Sequence, residues 1–441
     1  MSLDPRATKG DAYLGIQYGT KFTEIHNTID KEQHRRKRRI ISPVISQSSM
    51  LRFEPTMASQ VDILLQKLLT SCETGKYVNM TEQCSYLAMD IICLLAFGFP
   101  LRTQTEAGYR AIPGGIDAVN WANNACMQWP LLKPLGRIMA SAGFGNYHWF
   151  KKAVNTMYQE RQMNQDDSLH DFYSVVSRHM DEKSRSFLQE ELWPEAVLFL
   201  IAGRCGSTVS SALAAAFFYL SRNRSCYDAL AKEIRSKFTS GSEIVSGPGL
   251  ASCKYLRACI DETLRMSPAV TTLLWRAEEP DKKGRDQPFF IDGHVIPRGT
   301  QVAVNLYSLF HNEEYFQDSF SYKPERWLEP EEGQPESEEQ KMARQTMRKA
   351  FAPFMLGDRS CAGRAMAYME MTLTLARTMF YFDFEAAPGK AGLVGGGEAG
   401  RTDGRGRLDE FQLRDCFAAV TDGPNLIFHK RGDFWKSLST E

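Results

Sequence analysis

Apolar residues recur at spacings of three and four through most of the first two thirds of the chain, the pattern of helices that bury one face. This pattern predicts helices over residues 53–69, 81–97, 145–162, 226–238 and 250–266. A longer apolar stretch, residues 196–220, has the length to span a bilayer but carries Arg204 and several Ser and Thr residues. We interpret it as a long, buried central helix.

After residue 271 the apolar runs become short and are separated by Asp292, Gly293, Pro297 and Gly299, which predicts short strands joined by turns. Composition and pattern predict an irregular polar surface segment over residues 313–350 and a helix over residues 366–380. They also predict a flexible glycine-rich loop over residues 387–410 and a last strand pair over residues 417–430. The fold class is therefore mainly α with a small β region, in a single domain over residues 1–441.

Composition narrows the class of protein. The chain has 441 residues, of which 43% are apolar and 24% are charged, so an intrinsically disordered protein is excluded. Its 53 basic and 53 acidic residues cancel, which argues against nucleic acid as a partner. The ten cysteines are scattered without a CxxC pair, which favours a reducing compartment.

One cysteine lies in a sequence that suits a metal-bound thiolate. Cys361 is in the stretch FAPFMLGDRSCAG, residues 351–363, directly before a predicted helix. The positive end of the helix dipole is expected to lower the pKa of such a thiol and make it a metal ligand or a nucleophile. Gly357 and Gly363 would let the backbone approach a large planar group, and Arg359 could pair with a carboxylate on its edge. Haem is a large planar group and carries carboxylates on its edge.

The residues Phe354, Gly357, Arg359, Cys361 and Gly363 match the F-x-x-G-x-R-x-C-x-G haem loop, and on this motif the chain resembles the cytochrome P450 family. The resemblance implies the cytochrome P450 fold, with a long central helix above the haem and the cysteine loop beneath it. It also implies that haem b is the cofactor, with the Cys361 thiolate as axial ligand of its iron and the other four residues as cofactor contacts.

Two further segments resemble the same family. The segment ETLRMSP places Glu262 and Arg265 three residues apart, like the family's E-x-x-R helix, and KPERW places Arg326 like its downstream P-E-R segment. The resemblance implies that these three residues form a buried network that supports the cysteine loop and are not catalytic.

The densest basic run is HRRKRR, residues 34–39, which by composition alone could be a solvated helix face or a targeting patch. It resembles the family's helix in which an aromatic or His residue and an Arg four residues later bind the haem propionates. His34 and Arg38 have this spacing, and Arg276 resembles the strand Arg that completes propionate binding. The remaining positive charges are expected to face outward, where an acidic flavoprotein could dock.

The predicted central helix departs from the family's pattern of a small residue against the haem followed by an acid and a catalytic Thr. One alignment makes Thr208 the catalytic Thr, but puts Ser207 in place of the acid and Arg204 in place of the small residue. A second alignment keeps Ala202 against the haem and puts Gly206 where the Thr is usual. The sequence leaves both alignments open.

The resemblance implies a haem-thiolate monooxygenase that uses O2 to oxidise a small apolar organic substrate, with electrons from NADPH delivered by an NADPH–cytochrome reductase flavoprotein. Phrases such as YLSRN and NEEYFQDSFSYKPERW resemble fungal members and suggest secondary metabolism. Two alternatives stay open: a haem-thiolate isomerase or dehydratase that does not use O2, and an inactive paralogue without haem.

Only about thirty residues precede the basic run, where family members carry a membrane anchor, a first helix and the first strands. We therefore expect an N-terminally truncated form, with the strand near residues 301–304 short of partners. The full-length form is expected on the cytoplasmic side of the endoplasmic reticulum. The chain as written is expected to be soluble and cytoplasmic, with the membrane reached only through the missing anchor.

Overall fold

Helices dominate the computed structural model of the protein, which describes residues 4, 6–15, 23–132, 145–163, 171–178, 192–202, 208–279, 288–330 and 336–438. The α-helices of these residues are Lys31–Ile41, Gln47–Thr74, Met80–Phe97, Ile112–Gln128, Gly145–Met163, Phe172–Arg178, Leu192–Ala202, Val209–Arg222, Arg224–Lys237, Pro248–Ala251, Lys254–Met266, Leu306–Phe310, Glu338–Ala350 and Arg364–Tyr381.

Helix ends coincide with residues whose chemistry caps them. The helix Gln47–Thr74 begins after Ser46, whose side chain accepts from the Ser49 N–H group, and it ends at Gly75 with φ 64°. The helix Met80–Phe97 has the equivalent caps in Asn79 and Gly98. Both helices were predicted, and the first extends beyond residues 53–69 because its caps lie further out.

The strands are short and antiparallel: β1 Ala7–Lys9, β2 Val78–Asn79, β3 Arg276–Glu278, β4 Phe289–Ile291, β5 His294–Ile296, β6 Phe382–Ala386, β7 Arg414–Cys416, β8 Ala418–Val420 and β9 Asn425–Lys430. They form small sheets in the orders β1-β3, β2-β9-β6, β4-β5 and β7-β8. The small β region is confirmed. The last strand pair is not as predicted, since β8 pairs with β7 while β9 pairs with β6 and β2.

The turn between β4 and β5 is the one that the sequence predicted. Asp292 and Gly293 lie at φ 51° and φ 76°, the two successive left-handed positions of a type I′ turn. Glycine reaches this region without steric cost, and Asp is among the residues that tolerate it. This pair of residues therefore sets the register in which Ile291 faces His294.

Two predicted elements were wrong in detail. Residues 250–266 form two helices because the chain turns at Ser252 and Cys253, between Pro248–Ala251 and Lys254–Met266. Residues 313–350 are not irregular throughout, since Ser337 starts the helix Glu338–Ala350.

The glycine-rich stretch is folded back on itself. The Gly397 N–H group donates to the Arg407 carbonyl at 3.0 Å, and the Gln412 N–H group donates to the Gly395 carbonyl at 2.8 Å. Ideal Cβ atoms on Gly396 and Gly397 would come within 2.4 Å of neighbouring carbonyl oxygens, so glycine is required for this packing. The predicted flexibility of residues 387–410 stays a prediction.

The core forms where the helix Met80–Phe97 packs against Val209–Arg222 and where Arg364–Tyr381 packs against Gln47–Thr74. Among the described residues Met80–Phe97 is long and apolar enough to cross a membrane, but 78% of it is buried inside the structure. An apolar helix that is mostly buried inside the protein is typical of the core.

At the front of the chain, β1 pairs with β3, and Arg276 of β3 also bridges to Val302. Residues 301–304, which were expected to lack partners, therefore have one at Val302. The predictions of a single domain and of a truncated front stay predictions.

Candidate functional site

The cysteine loop, residues 351–363, is held closed by its own backbone. The Cys361 N–H group donates to the Phe354 carbonyl at 2.7 Å, and Gly357 lies at φ 75°, which favours glycine. The ring of Phe354 packs against Tyr368 with ring centroids 5.2 Å apart. These contacts fix where the chain presents the Cys361 sulfur atom.

A buried ion network lies behind this loop. Arg265 makes two hydrogen bonds to the Glu262 carboxylate at 2.8 and 2.9 Å, and the side chains of both residues are 0% exposed. Arg326 donates to the same carboxylate at 3.1 Å, and the Trp327 indole donates at 2.9 Å. The Trp327 ring contacts Phe351, the first residue of the cysteine loop, at 4.4 Å between centroids. The network therefore connects the helix Lys254–Met266 to the cysteine loop.

The Cys361 side chain is accessible to solvent, yet protein atoms surround it. Burial raises the pKa of its thiol, and the opposing effects of the Gly363 backbone hydrogen bond and the Arg38 charge are smaller. The predicted lowering of this pKa is therefore wrong, because loss of hydration outweighs the helix start. A thiol that solvent can reach although protein atoms surround it is typical of a recess in the surface. A metal ion bound to this thiol would deprotonate it.

Cationic side chains converge near the loop from distant parts of the chain. Arg38 donates to the Ser360 carbonyl at 2.8 Å, and Arg359 donates to the carbonyls of Thr28 and Ile29 at 2.9 and 2.8 Å. Electrostatic effects link this group to His34, Arg276 and Lys9, since the charges of Lys9, Arg38, Arg276 and Arg359 act on His34. We call Lys9, His34, Arg38, Arg276 and Arg359 the cationic cluster.

The charges of the cationic cluster have no direct carboxylate partner in the part of the chain that the structure describes. Among the described residues, none of its members forms an ion pair with Asp or Glu. Burial and the neighbouring cations lower the pKa of His34 to about 3, so its imidazole is neutral at pH 7. Burial and Arg276 lower the pKa of Arg359 to about 10. The cluster thus favours an anionic group with more than one negative charge.

The predicted cofactor fits these two observations. Haem has two carboxylates for the cationic cluster and an iron atom that takes a thiolate such as Cys361. Among the described residues, no group of three or more His, Cys, Asp or Glu side chains could hold a metal ion without such a cofactor. The structure thus brings together His34, Arg38, Arg276, Arg359 and the cysteine loop with Phe354, Gly357, Cys361 and Gly363.

Not every charge of the basic run faces outward as expected. Arg35, Arg36 and Arg39 are exposed, but Lys37 is buried and forms an ion pair with Glu195 at 3.0 Å. Lys37 reaches Glu195, which belongs to the helix Leu192–Ala202. Its charge is neutralised inside the protein.

Thr208 lies directly before the helix Val209–Arg222, and its hydroxyl donates to the Ala202 carbonyl at 3.1 Å. The central helix predicted over residues 196–220 is present as Leu192–Ala202 and Val209–Arg222. The alternatives that involve Arg204, Gly206 and Ser207 lie outside the described residues.

Sequence reasoning missed Lys9 and Tyr13. The Tyr13 hydroxyl accepts from Arg276 at 3.2 Å, and the Lys9 ammonium lies 5.4 Å from the Tyr13 ring centroid. Neither residue belongs to a recognisable motif, and their position depends on pairing between β1 and β3, which are separated by more than 260 residues. No local signal in the sequence could have identified them.

The chain is similar to known proteins over most of its length. The family model described as Cytochrome P450 matches residues 13–393 of the chain. A cytochrome P450 monooxygenase of Gibberella zeae is 30% identical over 96% of this chain and 95% of its own length. The cytochrome P450 monooxygenase apf7 of Gibberella fujikuroi is 37% identical over 96% of this chain and 81% of its own length.

A crystal structure of a cytochrome P450 has a TM-score of 0.71 to this protein, at 18% sequence identity, and covers 97% of this chain and 86% of that one. At this identity the likeness concerns the fold alone. The predicted fold class, a mainly helical fold with small sheets, is confirmed.

Proposed function

The chain belongs to the cytochrome P450 family and is a monooxygenase of that family, and from this premise we propose its cofactor contacts, electron source and substrate class. We propose that it takes electrons from NADPH through a flavoprotein reductase and oxidises a small apolar organic molecule in secondary metabolism. We also propose the cytoplasmic side of the endoplasmic reticulum as the place where it works. The observation that carries the proposed haem-dependent function is the accessible Cys361 thiol beside a cationic cluster without carboxylate partners.

Bound haem would supply oxygen activation, and a thiolate ligand would favour that chemistry by donating electrons. In the proposal the Cys361 sulfur is that ligand, and the backbone hydrogen bond from Gly363 orients it and tempers its charge. The buried Glu262 network keeps the cysteine loop rigid, so the sulfur stays at one position.

The other residues of the site would hold and orient the haem or handle protons. Arg38, Arg276 and Arg359 would bind the haem carboxylates by charge-assisted hydrogen bonds, and neutral His34 would donate one hydrogen bond. The Thr208 hydroxyl donates to the Ala202 carbonyl, and rotation of the hydroxyl would free its proton for another acceptor. Thr208 is therefore the proposed proton-handling group.

The test is the spectrum of the purified chain, reduced and treated with carbon monoxide. We expect the red-shifted Soret band of a thiolate-ligated haem in the parent. It should vanish in Cys361→Ser and persist in the control Cys72→Ser, which changes a half-buried cysteine on the helix Gln47–Thr74. An unchanged band in Cys361→Ser, or a colourless parent reconstituted with haem, would refute the proposal.

A second measurement tests the electron source. NADPH and a purified NADPH–cytochrome reductase should develop the same band under carbon monoxide, without a chemical reductant. If dithionite produces the band while NADPH with the reductase does not, the proposed electron source is wrong although the haem assignment stands.

A further inference from the structure

Lys9 lies among residues that the proposed function places around the cofactor. It stands directly opposite Arg276 in the antiparallel pair β1–β3, so the two side chains share one face. Both flank the ring of Tyr13, the Lys9 ammonium at 5.4 Å and the Arg276 guanidinium at 5.9 Å from its centroid. Like charges in this arrangement repel each other.

A single loop, residues 23–29, positions Lys9 beside Arg359. The Lys9 ammonium donates to the carbonyls of Ile25 and His26 at 2.8 and 2.5 Å. Arg359 donates to the carbonyls of the same loop at Thr28 and Ile29. Two of the three ammonium protons are thus directed to the loop, which leaves one donor for another acceptor.

The two carboxyl groups whose charges act on Lys9, those of Glu24 and Glu195, form no ion pair with it. Burial raises the pKa of Glu24 to about 8, so its carboxyl group is mostly protonated at pH 7, and its Oε1 atom has no hydrogen-bond partner. Glu195 is engaged in the buried ion pair with Lys37 at 3.0 Å. Burial and the charges of Arg359 and Arg276 lower the pKa of Lys9 well below its usual value, and a neighbouring anion would oppose this effect.

We propose that Lys9, at the end of the first strand, is a further binding residue for a haem carboxylate, acting beside Arg276 and Arg359. This inference rests on the proposed function, because it requires that haem occupies the site. It adds a contact from a part of the chain in which no motif points to the cofactor. It also explains why a buried lysine is placed opposite a buried arginine.

The experiment measures how fast haem leaves the holoprotein for excess apomyoglobin. Lys9→Met should accelerate haem loss roughly 10- to 100-fold, the value of one charge-assisted hydrogen bond. Lys9→Gln keeps amide donors for the carbonyls of Ile25 and His26 but lacks the charge, and it should accelerate loss at least about fivefold. The control Lys341→Met, which removes an exposed partner of Glu338 on another helix, should stay within about threefold of the parent.

Haem dimethyl ester provides the decisive arm, because its carboxylates are blocked. With this probe the parent, Lys9→Met and Lys9→Gln should lose the cofactor at equal rates. A difference that persists with the ester would assign Lys9 a purely structural role and overturn the inference, as would parent-like haem loss from both variants. If Lys9→Met does not fold, Lys9→Gln gives the same comparison. A parent chain that takes up no haem would refute the proposed function instead.

Discussion

Glu370 is a buried charge-bearing residue to which the site assigns no role. Its side chain is 0% exposed on the helix Arg364–Tyr381, and neither carboxyl oxygen has a hydrogen-bond partner. Burial raises the pKa of Glu370 to about 8. Thr374 and Thr378 follow at four-residue spacing on the same face, each with an unpartnered hydroxyl. The helix thus carries a buried polar stripe.

This pKa makes the stability of the folded protein depend on pH. Because the folded pKa lies above the unfolded value of 4.5, the folded state holds a proton that the unfolded state loses. The contribution of Glu370 is fully present below pH 4.5 and is lost as pH rises through about 8, a change of up to about 5 kcal/mol. Urea unfolding at several pH values should show a smaller loss in Glu370→Gln than in the parent, because Glu24, whose pKa is also raised to about 8, still contributes. Parallel pH profiles for the two proteins would contradict the burial argument.

Arg265 is the residue whose loss should cost the most stability. The change Arg265→Met leaves the Glu262 carboxylate buried and without its two hydrogen bonds from Arg265, so we expect a loss of about 3–5 kcal/mol in the free energy of unfolding. Chemical denaturation measures this directly. Arg224→Met breaks an ion pair with Asp228 in which both side chains are more than half exposed, and it should cost less than about 1 kcal/mol. Equal losses in the two variants would show that burial does not set the cost.

At the scale of elements, the helix Lys31–Ile41 has two faces with different tasks. His34 and Lys37 are buried, whereas Arg35, Arg36 and Arg39 are exposed. Reversal of the three exposed charges to Glu should slow NADPH-driven reduction by the reductase about tenfold at low salt, because steering by charge is lost. Stopped-flow measurements across ionic strength should show the difference shrink as salt is added.

The matched control carries the same change in net charge elsewhere on the surface. It replaces Arg224, Lys341 and Arg401 by Glu, all of which are exposed and lie in other elements. This variant should be reduced at a rate close to that of the parent. Equal slowing in both triple variants would mean that overall charge, not this helix, controls the encounter.

The helix Glu338–Ala350 illustrates a signal that composition hides. Ser337 accepts from the Gln340 N–H group, and Gln340 accepts from the Ser337 N–H group, which is a complete capping box. Ser337→Ala should destabilise this helix by about 1 kcal/mol, seen as roughly fivefold faster amide hydrogen exchange in its first turn. Ser337→Asp retains an acceptor and should exchange like the parent. Unchanged exchange in the Ala variant would mean that packing alone starts the helix.

At the scale of the whole molecule, the candidate site forms only in the folded chain. The basic helix, β3 and the cysteine loop contribute Arg38, Arg276 and Arg359 from positions more than 300 residues apart at their extremes. A ligand of such a site binds the folded state alone, so haem at 1,000 times its dissociation constant should stabilise the protein by about 4 kcal/mol. Calorimetry should record a higher Tm for the haem-loaded parent than for the haem-free chain. A Tm that does not change with haem would contradict this linkage.

Much of this arrangement could be predicted from the sequence because it rests on local patterns. The cysteine loop and Glu262 with Arg265 are motifs within a few residues, and the Asp292–Gly293 turn is set by its own dihedral angles. Lys9 and Lys37 could not be predicted in the same way. Their environments arise from contacts with Arg276 and Glu195, which depend on the packing of remote elements. Burial raises the pKa of the Cys361 thiol, whereas the sequence had led us to expect a lowered pKa.

The accessibility of Cys361 has a practical consequence for preparing this protein. Of the nine described cysteines, six are buried, Cys72 and Cys416 are half-buried, and Cys361 alone is exposed. A brief pulse of maleimide followed by mass spectrometry of peptides should therefore mark Cys361 ahead of the other described thiols. A coordinated sulfur would be shielded from alkylation, so the unmodified fraction of that peptide would count loaded molecules even in a turbid or coloured lysate.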